Sequence, residues 1–149
     1  MELPYLVIIP AAIGLISQFL KLIIKWTTSY NNDVHNFFSY SGAPSTHASA
    51  ISALSTVAAL EAGIDSVEFA ICFIFGVLIL RDALGVRNYI GKNVKDINNL
   101  VKSLPKEKQE EFQKLDVRVG HSRMEVSSGI VVGIILAWLL YFLFTGQVL

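Results

Sequence analysis

Apolar residues gather into four long runs separated by polar connections. Leu3 to Leu20 carries no charge, and its apolar character continues past Lys21 to Trp26. Thr46 to Gly63 is small and apolar, with a single acid, Glu61, near its end. Ile64 to Leu84 is apolar around Phe69 to Leu80, and Val126 to Leu149 has no charge at all. A membrane-spanning helix needs about 20 mostly apolar residues, so the first, third and fourth runs read as spans. The second is shorter. Its Ala48, Ser52, Ser55 and Ala59 suit a helix packed tightly between others. The first run has no basic residue before it and no small-x-small cleavage site after it, so it reads as a mature helix rather than a signal peptide.

The connections differ in kind. A polar loop, Thr27 to Ala43, joins the first two runs, and a short acidic hairpin, Glu61 to Glu68, joins the next two. The long connector runs from Asn88 to Gly120. In it Val94, Ile97, Val101 and Leu104 recur at helical spacing, which predicts an amphipathic helix on the membrane surface. Pro105 predicts a second helix carrying Glu107, Lys108, Glu110, Glu111 and Lys114. The expected fold is all-α: one domain over residues 1–149, a membrane bundle of four transmembrane helices with a cytoplasmic helical connector.

Composition agrees. Hydrophobic residues make up 53% of the 149 and charged residues 16%, against about 25% charged in soluble domains. An ordinary soluble domain and a disordered chain are both excluded. Net charge is +0, which gives no footprint for nucleic acid. The one cysteine, Cys72, lies in an apolar run and reads as a small buried hydrophobe.

All 12 Lys and Arg lie between Lys21 and Arg123, on the long connector or on the helix ends that meet it or the first loop. Basic residues near helix ends favour the cytoplasm. Both termini are therefore expected outside, with the first loop, which Lys21 and Lys25 precede, and the basic long connector inside.

Four antiparallel spans bring the C-terminal ends of the first and third helices to the same face as the N-terminal ends of the second and fourth. Those ends carry the unusual polar residues: Gln18 and Lys21; Gly42 to His47; Arg81, Asp82 and Arg87; and Gly120 to Glu125. Two helix N-termini and the cations Lys21, Arg81, Arg87, Arg118 and Arg123 favour an anion there, with phosphate the obvious candidate. Each residue also has a plainer use. Lys21 can snorkel to the interface, Arg87 can meet lipid headgroups, Ser45 or Thr46 can cap a helix, and Asp82 can pair with Arg87 or Arg81. His47 and His121 stand apart because each begins a transmembrane helix after a turn. Glu125 follows His121 at i+4, where a carboxylate can hold the imidazole in one tautomer. His35 reads as a solvated loop residue. The chain has no metal-binding motif, and its surplus of cations at this face opposes a divalent metal, so neither metal nor other cofactor is expected.

At these residues the chain resembles the divergent branch of the type-2 phosphatidic acid phosphatases, also described as acid phosphatase/vanadium-dependent haloperoxidase-related. The resemblance rests on Ser41-Gly-Ala-Pro-Ser-Thr-His-Ala-Ser49, Asp82-Ala-Leu-Gly-Val-Arg87, Gly120-His-Ser-Arg-Met-Glu-Val126 and Gln18-x-x-Lys21. Pro44-Ser45-Thr46-His47 stands where the wider superfamily has Pro-Ser-Gly-His, and His121-x-x-x-Glu125 where it has His-x-x-x-Asp. Thr28-Ser29 and Leu115 occupy positions where the superfamily has Arg-Pro and Arg. The resemblance therefore implies phosphate-holding arginines supplied by Arg87, with Arg118 or Arg123 as substitutes.

What the resemblance implies is a metal-independent phosphatase working through a phosphohistidine. His121 would attack phosphorus and Glu125 would orient it. His47 would protonate the leaving oxygen and then activate water. Lys21, Ser45, Thr46, Arg87 and Arg123 would hold the phosphoryl oxygens, with Asp82 beside them. The expected substrate is a lipid phosphate, either phosphatidylglycerophosphate or an isoprenyl phosphate or diphosphate, presented by the surrounding membrane lipids. A non-catalytic binder of anionic lipid or phosphate is the alternative, and a scaffolding helix bundle a third. Gly129-x-x-x-Gly133 permits close helix contact and leaves a homo-oligomer open.

Overall fold

The computed structural model describes residues 5–28, 42–112, 115 and 122–146, with the side chains at 25, 26, 28, 87 and 88 outside that description. His35, Arg118 and His121 lie outside the described residues. The elements are α1 (Tyr5–Thr28), α2 (Thr46–Ala62), α3 (Val67–Leu84), α4 (Val86–Ser103), α5 (Lys106–Gln109) and α6 (Arg123–Thr145). No strand occurs among the described residues.

Local chemistry sets the helix ends. Ser45 caps α2, its hydroxyl accepting from the Ala48 N–H, and Gly63 at φ 91° closes it. The third helix begins at Val67 rather than Ile64 because the Ser66 hydroxyl accepts from the Phe69 N–H at 3.1 Å. Its end and the start of α4 share one residue, Gly85, whose N–H donates to the Arg81 carbonyl at 2.8 Å. A Cβ at Gly85 would stand 2.9 Å from that carbonyl, so a side chain has no room at this break. The surface helix predicted for the connector therefore starts at Val86, directly after α3.

The helix predicted after Pro105 is shorter than its charge pattern suggests and stops at Gln109. The Gln109 amide donates to the carbonyls of Lys102 and Leu104 at 3.2 and 2.7 Å, satisfying end groups of α4 and folding the chain back. The returning chain is fastened where the Asn98 amide donates to the Leu115 carbonyl at 2.8 Å and accepts its N–H at 3.1 Å.

In the bundle α2 lies between α1, α3 and α6. Contacts of Gly14 with Ala50 and of Gln18 with Thr46 set α1 antiparallel to α2. The short turn from Gly63 to Ser66 sets α3 antiparallel as well, with Gly76 against Ile51 and Ser55. The pairs Ser45–Gly129 and Ser49–Gly133, with Glu61–Tyr141 at the far end, set α6 parallel to α2. Ile9, Ile13, Ala53, Val57, Ala137 and Tyr141 form the buried core. Outward faces carry large apolar side chains such as Leu15, Phe19, Ile74, Leu78, Val131 and Leu143.

The α2–α6 seam is the closest contact. A Cβ on Gly129 would come within 2.6 Å of the Ser45 carbonyl, and one on Gly133 would overlap the Ser49 carbonyl. Thus the Gly-x-x-x-Gly pair is filled by α2 of the same chain, where small residues let two backbones approach.

Three helical stretches, Tyr5–Ile24, Val67–Ser103 and Arg123–Thr145, are long and apolar enough to cross a membrane. At about 1.5 Å per residue, α2 is roughly 25 Å long, a little under the hydrocarbon thickness of about 30 Å. Its protein-enclosed position and Ala/Ser surface follow from that: it needs helix neighbours, not lipid, on most sides.

Candidate functional site

The end of the bundle formed by the C-terminus of α1 and the N-termini of α2 and α6 draws several of the expected site residues together. On α1, Ile9, Ile13, Ser17 and Lys21 recur every four residues and form one buried stripe. Lys21 ends that stripe and is only 7% exposed. Its stem packs against Gly42, where a Cβ would stand 3.2 Å from both Cγ and Cε of the lysine. Gly42 has φ 131°, a backbone conformation that L side chains rarely adopt. The backbone conformation favours glycine here, and a side chain would also press on the Lys21 stem.

Glu125 joins the first loop to α6. Its Oε1 accepts from the Gly42 N–H at 2.7 Å and its Oε2 from the Ser122 N–H at 2.7 Å. The Ser122 hydroxyl accepts from the Glu125 N–H at 3.2 Å, which completes a capping box at the start of α6. The Glu125 carbonyl in turn accepts from the Ser45 N–H at 3.0 Å. One residue therefore holds α6, the segment before α2 and the α2 cap in a fixed relation.

Ser45 is fully buried. Its hydroxyl accepts from the Ala48 N–H at 3.4 Å and keeps its own proton to donate. The Thr46 hydroxyl donates to Gln18 Oε1 at 2.8 Å, tying α2 to α1 one turn before Lys21. His47 follows on the first turn of α2 and is exposed, as is Arg123 at the start of α6. Asp82 is half-buried and Arg81 exposed, both on the last turns of α3. Arg87 is on the first turn of α4, with its side chain outside the described residues. Lys21, Ser45, Thr46 and Glu125 thus share one connected cluster. His121 precedes the α6 cap Ser122 in the chain and lies outside the described residues.

Three residues of this end have structural roles that the sequence reading does not assign. Gly42 lies within the Ser41 to Ser49 motif, which does not show that it receives Lys21 and donates to Glu125. Ser122 is legible as the first residue of Ser-x-x-Glu, a capping-box pattern. Ser17 is fully buried one turn before Lys21, and its hydroxyl has no hydrogen-bond partner. Among the described residues no three His, Cys, Asp or Glu side chains stand close enough to hold a metal ion.

Fold and cluster together define a multi-pass helical membrane protein with a polar cluster, including a buried lysine, at one end of its bundle. The chain belongs to the Divergent PAP2 family, whose model matches residues 4–136. It is also similar to the uncharacterized membrane protein YuiD of Bacillus subtilis (strain 168), with 38% identity over 139 residues, covering 86% of this chain and 88% of that protein. No solved structure matches the chain.

Proposed function

We propose that this protein is an integral-membrane phosphatase that hydrolyses a lipid phosphate without a metal, through a phosphohistidine. In this reading α2 is a fourth crossing, sheltered by its neighbours, and the polar cluster lies at the cytoplasmic face. His121 attacks phosphorus while the bond to the leaving oxygen breaks, and His47 gives that oxygen its proton. His47 then takes a proton from water, whose oxygen displaces His121 and releases phosphate. Glu125 orients His121. Lys21, the Ser45 hydroxyl, Thr46, Arg87 and Arg123 carry the phosphoryl charge, with Asp82 aligning the arginines. Phosphatidylglycerophosphate is the first candidate substrate, and an isoprenyl phosphate or diphosphate the second.

The observation that carries this reading is the meeting of Lys21, Gly42, Ser45 and Glu125 where two helices begin. A buried cation beside two helix N-termini favours a multiply charged anion. Membership of the Divergent PAP2 family supports phosphate as that anion. A second reading, a non-catalytic binder of anionic lipid or phosphate, draws on Glu125: its bonds to Gly42 and Ser122 give it a structural task that needs no imidazole. Phosphate release from detergent-purified protein, screened over lipid phosphates with His121→Ala as control, tests both. Release by the wild type and none by the variant supports the phosphatase. Saturable binding with no release from any lipid phosphate leaves the binder.

A further inference from the structure

We propose that α4 is an in-plane anchor that recognises an anionic lipid surface, an inference independent of whether the site turns over. At about 100° per residue, Val86, Tyr89, Ile90, Ile97 and Leu100 fall on one side of α4, with Asn93 as the polar residue among them, and all five are exposed, Tyr89 and Leu100 at 69% and 68%. Lys92, Lys95 and Lys102 lie on the opposite side and its flank and are also exposed. The Lys92 ammonium reaches back to 5.7 Å from the Tyr89 ring centre, with its stem along the boundary between the two faces.

Three observations select lipid as the occupant of the apolar side. First, the polar side already has a partner in the same chain, because Asn98 holds the backbone of Leu115. Second, only Gly85 separates the start of α4 from the apolar helix α3, so the start of α4 is held where that helix ends. Third, α4 carries four basic residues against one acidic residue, in a chain whose net charge is +0. An apolar stripe with Lys92 on its flank and Lys95 and Lys102 behind it, on stems long enough to snorkel toward the headgroups, suits a helix lying at the headgroup boundary of an anionic leaflet.

The test uses the full chain in vesicles of phosphatidylcholine with or without phosphatidylglycerol. In a Cys72→Ala background, an environment-sensitive fluorophore is attached at Leu100→Cys or at Asn99→Cys. The probe at 100 should shift to the blue and be quenched by lipids spin-labelled near the headgroup, whereas the probe at 99 should be quenched by aqueous iodide. Each lysine should contribute about a fivefold preference for the anionic surface. The Lys92→Gln/Lys95→Gln/Lys102→Gln variant should therefore bring lipid quenching at 100 in phosphatidylglycerol vesicles down to the level in phosphatidylcholine. Iodide reaching position 100 as freely as position 99 would overturn the proposal. So would shielding of position 100 from both quenchers, which would make a second copy or another protein the occupant, and so would quenching indifferent to the lysines.

Discussion

The backbone N–H of Gly42 donates to the carboxylate of Glu125 at 2.7 Å, across 83 residues of sequence. Because the other oxygen of the same carboxylate accepts from the Ser122 N–H, Glu125 receives two backbone donors at once. An acid is the residue for this task, since both of its oxygens accept when it is ionised.

The Glu125→Gln variant keeps the shape and loses that property. One of the two N–H groups must then face an amide NH₂ and goes unpaired, at a cost of about 1–3 kcal/mol. Thermal unfolding in detergent should show a clear loss. Gly42→Ala should lose stability too, from φ 131° and from the Lys21 stem 3.2 Å from the new Cβ. An unchanged midpoint for both variants would remove Glu125 and Gly42 from the framework of the site.

The helix glycines should separate by the space around them. Gly14→Ala meets only ordinary contact, 3.5 Å from the Ala50 Cβ, so stability should hold or rise. Gly129→Ala drives a methyl against the Ser45 carbonyl at 2.6 Å, and Gly133→Ala overlaps the Ser49 carbonyl. Each should cost about 1–3 kcal/mol or more as the α2–α6 seam opens. Gly129→Ala should also displace Ser45 and so weaken phosphate binding beyond its effect on folding. Equal tolerance of alanine at 14, 129 and 133 would contradict this seam.

Much of this arrangement is legible from residue types alone. Unbroken apolar runs mark α1, α3 and α6, and the polar residues at Gln18, Lys21, Pro44 to His47 and Glu125 point to a shared end because antiparallel helices alternate their ends. Other features depend on three-dimensional partners. Gly129 and Gly133 advertise a close contact but not its occupant, which is α2 of the same chain rather than a second copy. Glu125 follows His121 at i+4 and Ser122 at i+3, and spacing alone does not divide one carboxylate between an imidazole and a capping box. The charge pattern after Pro105 suits a helix longer than α5, which ends where Gln109 turns its amide onto α4 carbonyls. The role of Gly42 is invisible in sequence because its partner Lys21 belongs to another helix.

Ser17 should tolerate loss of its hydroxyl. It is fully buried between Ile13 and Lys21 on the inner stripe of α1, with no hydrogen-bond partner. A buried hydroxyl left unpaired costs about 1–3 kcal/mol, so Ser17→Ala should unfold at the same temperature or higher. A large fall in the unfolding midpoint would mean that the hydroxyl is paired in the membrane-embedded protein.

The two histidines should fail differently under the proposed mechanism. His121→Ala should abolish turnover and phosphoenzyme together. His47→Ala should mainly slow leaving-group protonation and hydrolysis of the intermediate, and with p-nitrophenyl phosphate the first of these losses should shrink. Wild-type activity should survive EDTA and be inhibited by vanadate. Equal losses with good and poor leaving groups, and no trapped phosphoenzyme, would remove these assignments.

Substrate length gives the last distinction, because the cluster stands beside lipid-facing surface. Lys21 is buried two turns before the end of α1, while Leu15 and Phe19 on that helix and Ile74 and Leu78 on α3 point outward. A lipid phosphate can keep its tails against these apolar faces while its head reaches the cluster. Each methylene kept out of water is worth about 0.8 kcal/mol, roughly fourfold in an equilibrium constant. Comparing one headgroup carried on long chains with the same headgroup on short, water-soluble chains isolates this term. The long-chain substrate should have the higher kcat/KM, mostly through KM, when both are compared at equal bulk concentration with the same amount of detergent. If the soluble analogue is turned over equally well, the cluster does not draw its substrate from the bilayer, and a small-molecule phosphatase takes the place of the lipid enzyme.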